Sequence, residues 1–408
     1  MREGSFSGIM DLLSKDQKGA FPMNHCTTIF QQLLSILPRT AFERATTQFG
    51  GDKYVKSFTC WNQFTANFYA QATGKDSLRE IVTGLKVEGK RWYHMGLQSI
   101  ARSTLAYANA NRDCQIFQNL FYSFLDQCRD LTPKHRFRFK NPLYSLDSSV
   151  IDLCLSLYPW ATFRTRKGAL KMHTLLDHRG HIPAFLVVTE GKRHDISVAK
   201  ELELPLSRDS ILVMDRAYID FEWLHRLDSQ GVFFVSRAKQ RMRHRVLGQH
   251  PTTRKGVLAD ETIEITGTSS QVKYPKKLRL VTFVDEAAKK VYRFLTNNFS
   301  LSARTIADIY KERWQIELFF KWVKQHLKIK TFLGTTKNAV MTQIWTAMLY
   351  YLLLHYMKYQ TKYANSMLEM SRLIDAALFK QVSFLNLLSL NFETLKKLSP
   401  GKEQLVFW

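Results

Sequence analysis

The chain has 408 residues, 45% of them hydrophobic, and a formal net charge of +24 from 59 Lys plus Arg against 35 Asp plus Glu. That length allows two or three domains with real cores, and that hydrophobic content excludes a disordered chain. The charge excess implies a polyanionic partner, nucleic acid or an anionic membrane surface. Membrane insertion is disfavoured, because no apolar run reaches the roughly 18 residues of a span and the opening MREGSFSGIMDLLSKDQKG has no signal-peptide core.

Residues 1–22 read as an irregular polar leader, and Met23 is an alternative start ahead of MNHCTTIFQQLLSILPR. From 23 to 130 apolar residues recur at helical spacing in CTTIFQQLLSIL, FTCWNQFTANFYAQA, SLREIVTGL and CQIFQNLFYSFLDQC, with breaks at Pro38, Gly50, Gly51, Gly74 and Gly89. This predicts a helical domain. Within it RSTLAYANANR (102–112) reads either as an ordinary amphipathic helix or as a DNA-recognition helix. In the second case Arg102, Asn109, Asn111 and Arg112 carry groups suited to base edges. The cysteines, Cys26, Cys60, Cys114, Cys128 and Cys154, form no metal spacing and read as reduced core thiols of a cytosolic protein.

A basic linker, LTPKHRFRFK (131–140), interleaves cations with aromatics before the pattern changes. LYSLDSSVI (143–151), ALKMHTLLDHRG (169–180) and IPAFLVVTEG (182–191) predict three successive strands, with HRG as a turn. DISVAKEL then predicts a short helix, SILVMDRAYID a buried strand with a polar end, FEWLHRLDSQG a helix and VFFVSRAK a fifth strand. The order βββαβαβ predicts a mixed sheet over 141–239, resumed at 301–335. Residues 240–300 predict a β insertion through TIEITG, KLRLVTFVD and VYRFLTNN, and 336–408 a helical C-terminal region suited to dimerisation. IWTAMLYYLLLHYM (344–357) reads as a buried helix there. SRAKQRMRHR (236–245) reads either as a solvated loop or as a phosphate track through Arg237, Lys239, Arg241 and Arg243. His194 and Asp195 fall near the presumed strand ends. His194 reads as a structural hydrogen-bonding group or as one that positions water or DNA.

Three carboxylates stand out. Asp147 interrupts a β-type run, and Asp215 follows the apolar ILVM; each alone is compatible with a loop Asp or a helix cap. Buried strands tolerate carboxylates when these are paired or metal-bound. Glu317 lies in IYKERWQIELFFKWVKQHLKI (309–329), which predicts one helix. At about 100° per residue, Tyr310, Arg313, Glu317, Lys321, Lys324 and Lys328 share an arc of about 80° beside an apolar stripe. One reading of that arc is a solvated face with ion pairs. The other is a metal-binding acid among phosphate-gripping groups, for which hard oxygen ligands suit Mg²⁺ or Mn²⁺.

Tyr310, Arg313, Glu317 and Lys324 fit Y-x2-R-x3-E-x6-K without a gap. With Asp147 in a first strand and DRAY (Asp215 to Tyr218) at a fourth, this resembles the signature of the insertion-sequence-four (IS-four) family of bacterial DDE transposases, most strongly over 141–330. The resemblance implies an α+β, RNase H-like core in which Asp147, Asp215 and Glu317 bind two ions of Mg²⁺ or Mn²⁺. It implies that Tyr310, Arg313 and Lys324 contact DNA phosphates, with Tyr218 as an accessory. It also implies transposon ends and target DNA as partners, a homodimer on paired ends, and a cytoplasmic, nucleoid-associated bacterial protein. Some members stack an insertion-domain Trp on a flipped base. Here no Trp lies between Trp223 and Trp314, and Tyr274, Tyr292 or Phe294 would have to serve. The alternatives are a metal-dependent nuclease that does not join strands, and a non-catalytic DNA-binding descendant.

Overall fold

The computed structural model describes residues 27–389 except 130, 165, 166, 253 and 328–331. The leader, Met23, Cys26, Lys328 and the residues beyond 389 therefore lie outside the described residues. The chain begins with α1 (Ile29–Ile36), α2 (Arg39–Gln48), α3 (Cys60–Ala72), α4 (Leu78–Val87), α5 (Arg102–Asn111) and α6 (Gln115–Arg129). Local chemistry sets several of the starts. Thr28 and Thr59 accept from the third helical N–H of α1 and α3, and Gln31 and Asn62 reach back to complete capping boxes. Gly51 packs where any Cβ would meet Ile116 Cδ1 at 2.5 Å and Cys60 Sγ at 2.6 Å, so α2 can close onto α6.

The sheet contains β1 (Leu143–Leu153), β2 (Thr162–Arg164), β3 (Lys167–Asp177), β4 (Ile182–Glu190), β5 (Ile211–Met214) and β6 (Phe233–Arg237). β1, β3 and β4 form an antiparallel meander, and β5 and β6 run parallel to β1. Two helices, α7 (Asp195–Glu201) and α8 (Phe221–Ser229), make the crossovers. The resulting order β4-β3-β1-β5-β6 is that of an RNase H-like core within an α+β protein. β7 (His244–Gln249), β8 (Val257–Ile265), β9 (Leu278–Asp285) and β10 (Lys290–Thr296), with α9 (Thr268–Lys273), continue the same sheet, because β10 pairs antiparallel with β6. β7 begins inside the cationic stretch 236–245 and was not expected, because its residues lack apolar alternation and are mostly exposed.

α10 (Ala303–Glu312) and α11 (Trp314–His326) follow, then α12 (Lys337–Gln360), α13 (Met367–Ala377) and α14 (Phe384–Ser389). The single helix expected over 309–329 is two helices. Arg313 keeps αR dihedrals, but the bonds around it tighten to i→i−3, from Arg313 N–H to Tyr310 O and from Ile316 N–H to Arg313 O.

The sheet is covered on both faces. One side of β1 and β5, through Tyr144, Leu146, Leu212 and Met214, packs with Ala199 of α7 and Trp223 and Leu224 of α8. The other, through Leu143, Ile211 and Val213, packs under Ile306, Ala307 and Ile309 of α10. α11 lies further along that second face, where Ile316, Phe319, Phe320 and Val323 join Ile151, Leu170 and Met172. The same cluster takes in α1, α3, α6 and most of α12, so the helices of 23–130 and the apolar 344–357 stretch share one core. Among the described residues no helix is long and apolar enough to cross a membrane. Cys60 and Cys128 are buried and Cys114 is half-buried, but Cys154 is exposed in the turn after β1, which corrects its reading as a core thiol.

Arg279 of β9 holds the insertion strands to the start of α10. Its guanidinium donates to both Asp260 oxygens at 2.8 Å and to the carbonyls of Asn298 and Leu301, with Arg279 6% and Asp260 5% exposed. Removing one partner strands a buried charge. Asp260→Ala is expected to lower stability by about 3–5 kcal/mol in denaturant unfolding, and the paired change Asp260→Leu with Arg279→Met by much less.

Candidate active site

Parallel pairing places the first two acids. Leu146 of β1 stands opposite Met214 of β5, so the next residues, Asp147 and Asp215, follow side by side. Alternation turns Asp147 to the same face as Leu143, beneath the α10–α11 joint. Asp215 leaves the strand in extended geometry and caps the short 216–218 turn through Arg216 N–H, at 2.6 Å. Asp147 accepts from Ser148 N–H at 2.8 Å. Burial pushes its carboxyl up to about 6, against Ser148 and Arg313, and the charges of Asp215 and Glu317 add to the rise.

The third acid arrives from above. Arg313 sits at the joint and donates from Nη1 to Asp147 Oδ2 at 3.1 Å, while Nη2 bonds Glu317 Oε1 one turn along α11. One guanidinium thus bridges a strand acid and a helix acid. Tyr310, one turn before, packs on Phe294 in a tilted ring pair with centroids 4.8 Å apart, Arg313 lies over its ring, and burial raises its phenol. Lys324 lies half-buried about two turns beyond Glu317 on the same helix. Among the described residues the oxygens of the three acids are not gathered within 4.8 Å of one another, since Arg313 stands between Asp147 and Glu317. Their donor set nonetheless fits a hard divalent cation: three carboxylates, one of them resisting ionisation in the absence of more positive charge.

On the other face of β1, Ser148 Oγ donates to Asp195 Oδ1 at 2.6 Å, and Lys171 Nζ reaches the same oxygen at 3.1 Å. Asp195 thereby supports the strand next to Asp147. Tyr218 is buried beneath it, its phenol raised by burial and by the charges of Asp195 and Asp147. His194 is exposed and caps α7 without a side-chain bond. Ser148 and Lys171 were not foreseen; a lysine inside the apolar ALKMHT run was the available signal.

The expected DNA-contact residues divide. Arg102 is exposed, but Asn109 is 4% exposed, and its amide is bonded to Gln63 and Asn67 inside the helical layer. A base-reading role for Asn109 does not fit that position. Arg112 bonds Phe58 O and covers the Phe58 ring. Arg237 lies over Tyr292, and Lys239 donates to Ile219 O at 2.7 Å, leaving Arg241 and Arg243 exposed. In the linker, alternation exposes Lys134, Arg136, Arg138 and Lys140, while Phe137 and Phe139 stack and pack against the core. Of the proposed base-stacking aromatics, Tyr274 and Phe294 are core residues and Tyr292 is half-buried.

A family model described as "Transposase DDE domain" matches residues 138–353, and a "Domain of unknown function (DUF4372)" matches residues 25–98. The chain is 34% identical over 270 residues to a Geobacillus stearothermophilus protein, "Probable transposase for insertion sequence element IS5377", covering 65% of this chain and 70% of that one. It is 31% identical over 282 residues to "Putative transposase y4zB" of Sinorhizobium fredii, covering 68% and 77%. A solved piggyBac transposase synaptic complex with hairpin DNA aligns over 95% of this chain and 84% of that one, at 11% identity and a TM-score of 0.43.

Asp147 has its raised value only in the folded protein, so its charge opposes folding above about 6, and that penalty disappears as pH falls toward its ordinary 3.8. In chelator-treated protein Asp147→Asn is expected to raise stability at pH 7 by roughly 1–3 kcal/mol. Thermal melting across pH should show the advantage shrinking from pH 6 to pH 4; a pH-independent difference would place this carboxylate in water.

Proposed function

The chain belongs to the DDE transposase family, and from that premise we propose that Asp147, Asp215 and Glu317 are its metal-holding acids, with Arg313 as their internal counter-charge. Transposases of this family cleave DNA at element ends and transfer the strand into target DNA, and the family's chemistry depends on divalent metal. The observation that carries the residue assignment is the Arg313 bridge from Asp147 to Glu317, with Asp215 on the neighbouring parallel strand.

Two ions of Mg²⁺ or Mn²⁺ held by these acids would activate water or a 3′-hydroxyl and stabilise the leaving oxygen. Water would attack the phosphodiester at the element's end, its 3′-oxygen leaving as a hydroxyl, and that hydroxyl would attack a target phosphodiester, displacing the target strand's own 3′-oxygen. The protein's own part is to position and to balance charge. Arg313 neutralises Asp147 and Glu317 in the metal-free protein; once other cations balance those acids, its fork is free to hold phosphate in a bidentate grip. Tyr310 stiffens the joint against Phe294, and Lys324 adds a point charge further along α11. The exposed cations of the linker, with Arg102, Arg241 and Arg243, supply the sequence-independent grip on DNA. Two copies on paired ends complete the assembly, acting at the bacterial nucleoid.

Asp215→Ala and Glu317→Ala are expected to abolish metal-dependent cleavage of end DNA while leaving its binding nearly intact. Joining of pre-cut ends to target DNA by the wild-type chain would be read in the same assay; nicking without joining would support a nuclease, and binding without nicking a non-catalytic descendant.

Arg313→Ala and Lys324→Ala should each lower the slope of log affinity against log salt by about one unit, measured with Ca²⁺ in place of Mg²⁺. Arg313→Lys should also be impaired, because an ammonium cannot reproduce the fork. Unchanged slopes and cleavage would return both residues to ordinary ion pairing.

A further inference from the structure

Two residues back along β1 from Asp147, on the same face, lies a second polar cluster that the transposition chemistry does not use. His178 and His181 come from the β3–β4 turn, and Glu312 is the last residue of α10. Nitrogen and oxygen atoms from all three lie within 4.8 Å of one another. We propose that His178, His181 and Glu312 form a transition-metal site of the zinc type, separate from the acids Asp147, Asp215 and Glu317.

The bonding around His178 carries the argument. Its side chain is 1% exposed, and Nε2 lies 2.7 Å from Ser145 Oγ. Its other nitrogen, Nδ1, is buried without a hydrogen-bond partner and lies 3.9 Å from Glu312 Oε2. If Nδ1 carries the proton, it points at an oxygen too far away to accept it. If Nε2 carries the proton and donates to Ser145, two lone pairs face each other across the gap. A cation between them satisfies both. The Ser145 bond is then the outer-shell contact that fixes the tautomer of a metal-bound imidazole.

The surroundings agree. Burial lowers the pKa of His178 to about 3 and also lowers that of His181, so both rings are neutral and able to coordinate at neutral pH. Two imidazoles and one carboxylate suit Zn²⁺ and its neighbours, and disfavour Mg²⁺. His181 adopts a left-handed backbone, φ +54°, after Gly180 at φ +72°. Such a conformation in a non-glycine residue is held by its surroundings. The turn is anchored from behind, since Tyr351 and Tyr359 donate to the carbonyls of His181 and Gly180. Arg136 of the linker pairs with the other Glu312 oxygen. The metal would tie the β3–β4 turn to the residue preceding Arg313, and so brace the α10–α11 joint.

The test is a Zn²⁺ titration of chelator-stripped full-length protein in excess Mg²⁺, read by competition with a chromophoric chelator. One equivalent should bind. His181→Gln and Glu312→Gln, checked for helical content by circular dichroism, should weaken it by more than the roughly 10–100-fold loss typical of an outer-shell change. Asp147→Asn combined with Asp215→Asn and Glu317→Gln should leave it unchanged. Co²⁺ added to the wild-type chain should give visible ligand-field bands that Zn²⁺ abolishes. Absence of stoichiometric binding, absence of the Co²⁺ bands, wild-type affinity in both single variants, or loss only in the triple variant would each overturn the proposal.

Discussion

Two carboxylates side by side on parallel strands are an electrostatic burden that the core must accommodate. β1 and β5 cannot pair in this register without bringing Asp147 and Asp215 together, and burial already disfavours charge on Asp147. The response is local. A cation enters from the opposite layer, at the one residue where α10 gives way to α11, and it brings Glu317 with it. Much of the surrounding structure can be understood as support for that residue. α10 is packed on β5 and the insertion strands, α11 on the meander, and Tyr310 is wedged on Phe294 between them.

The strands of the meander and the buried β5 were legible in the sequence because each keeps one strong local signal. β1, β3 and β4 are rich in apolar and β-branched residues between turn residues, and β5 is four apolar residues ended by an acid. Asp215 was therefore visible as a strand-end carboxylate. Glu317 was visible through its spacing from Tyr310, Arg313 and Lys324. What the sequence does not display is what long-range contact decides. The tight step at Arg313 has no proline or glycine to announce it, and arises where two helical segments pack on different parts of the sheet. α2, RTAFERATTQ, is too polar to show a clear stripe, yet Phe42 and Ala45 seat it in the core. Asn109 carries the same side chain whether it reads a base or bonds Gln63; only the neighbouring helix tells them apart.

The helical regions at the two ends of the chain illustrate the same limit. Composition suggests separate units, but Phe68 of α3 packs edge-on against Tyr350 of α12, and Phe121 of α6 lies in a tilted pair with Trp345. Asn338 of α12 donates to the carbonyls of Asn109 and Arg112 and accepts from Cys114 N–H. The N-terminal helices are thereby joined to α12, which in turn meets α11, the helix that carries Glu317, through Tyr351 and Phe319.

The sheet also treats two of its margins differently. β4 is closed by Tyr122 of α6, whose hydroxyl both donates to the Leu186 carbonyl and accepts from the Leu186 N–H. Among the described residues β7 pairs with β8 alone, and its exposed Val246 and Leu247 sit beside Arg241, Arg243 and Arg245. An open margin of this kind is a template for strand addition by another chain, and clustered positive charge is what discourages it. That protection is ionic, so it weakens as salt rises and whenever a polyanion covers the arginines. The conditions that bring many copies together on DNA are therefore those in which this margin is least guarded against self-association.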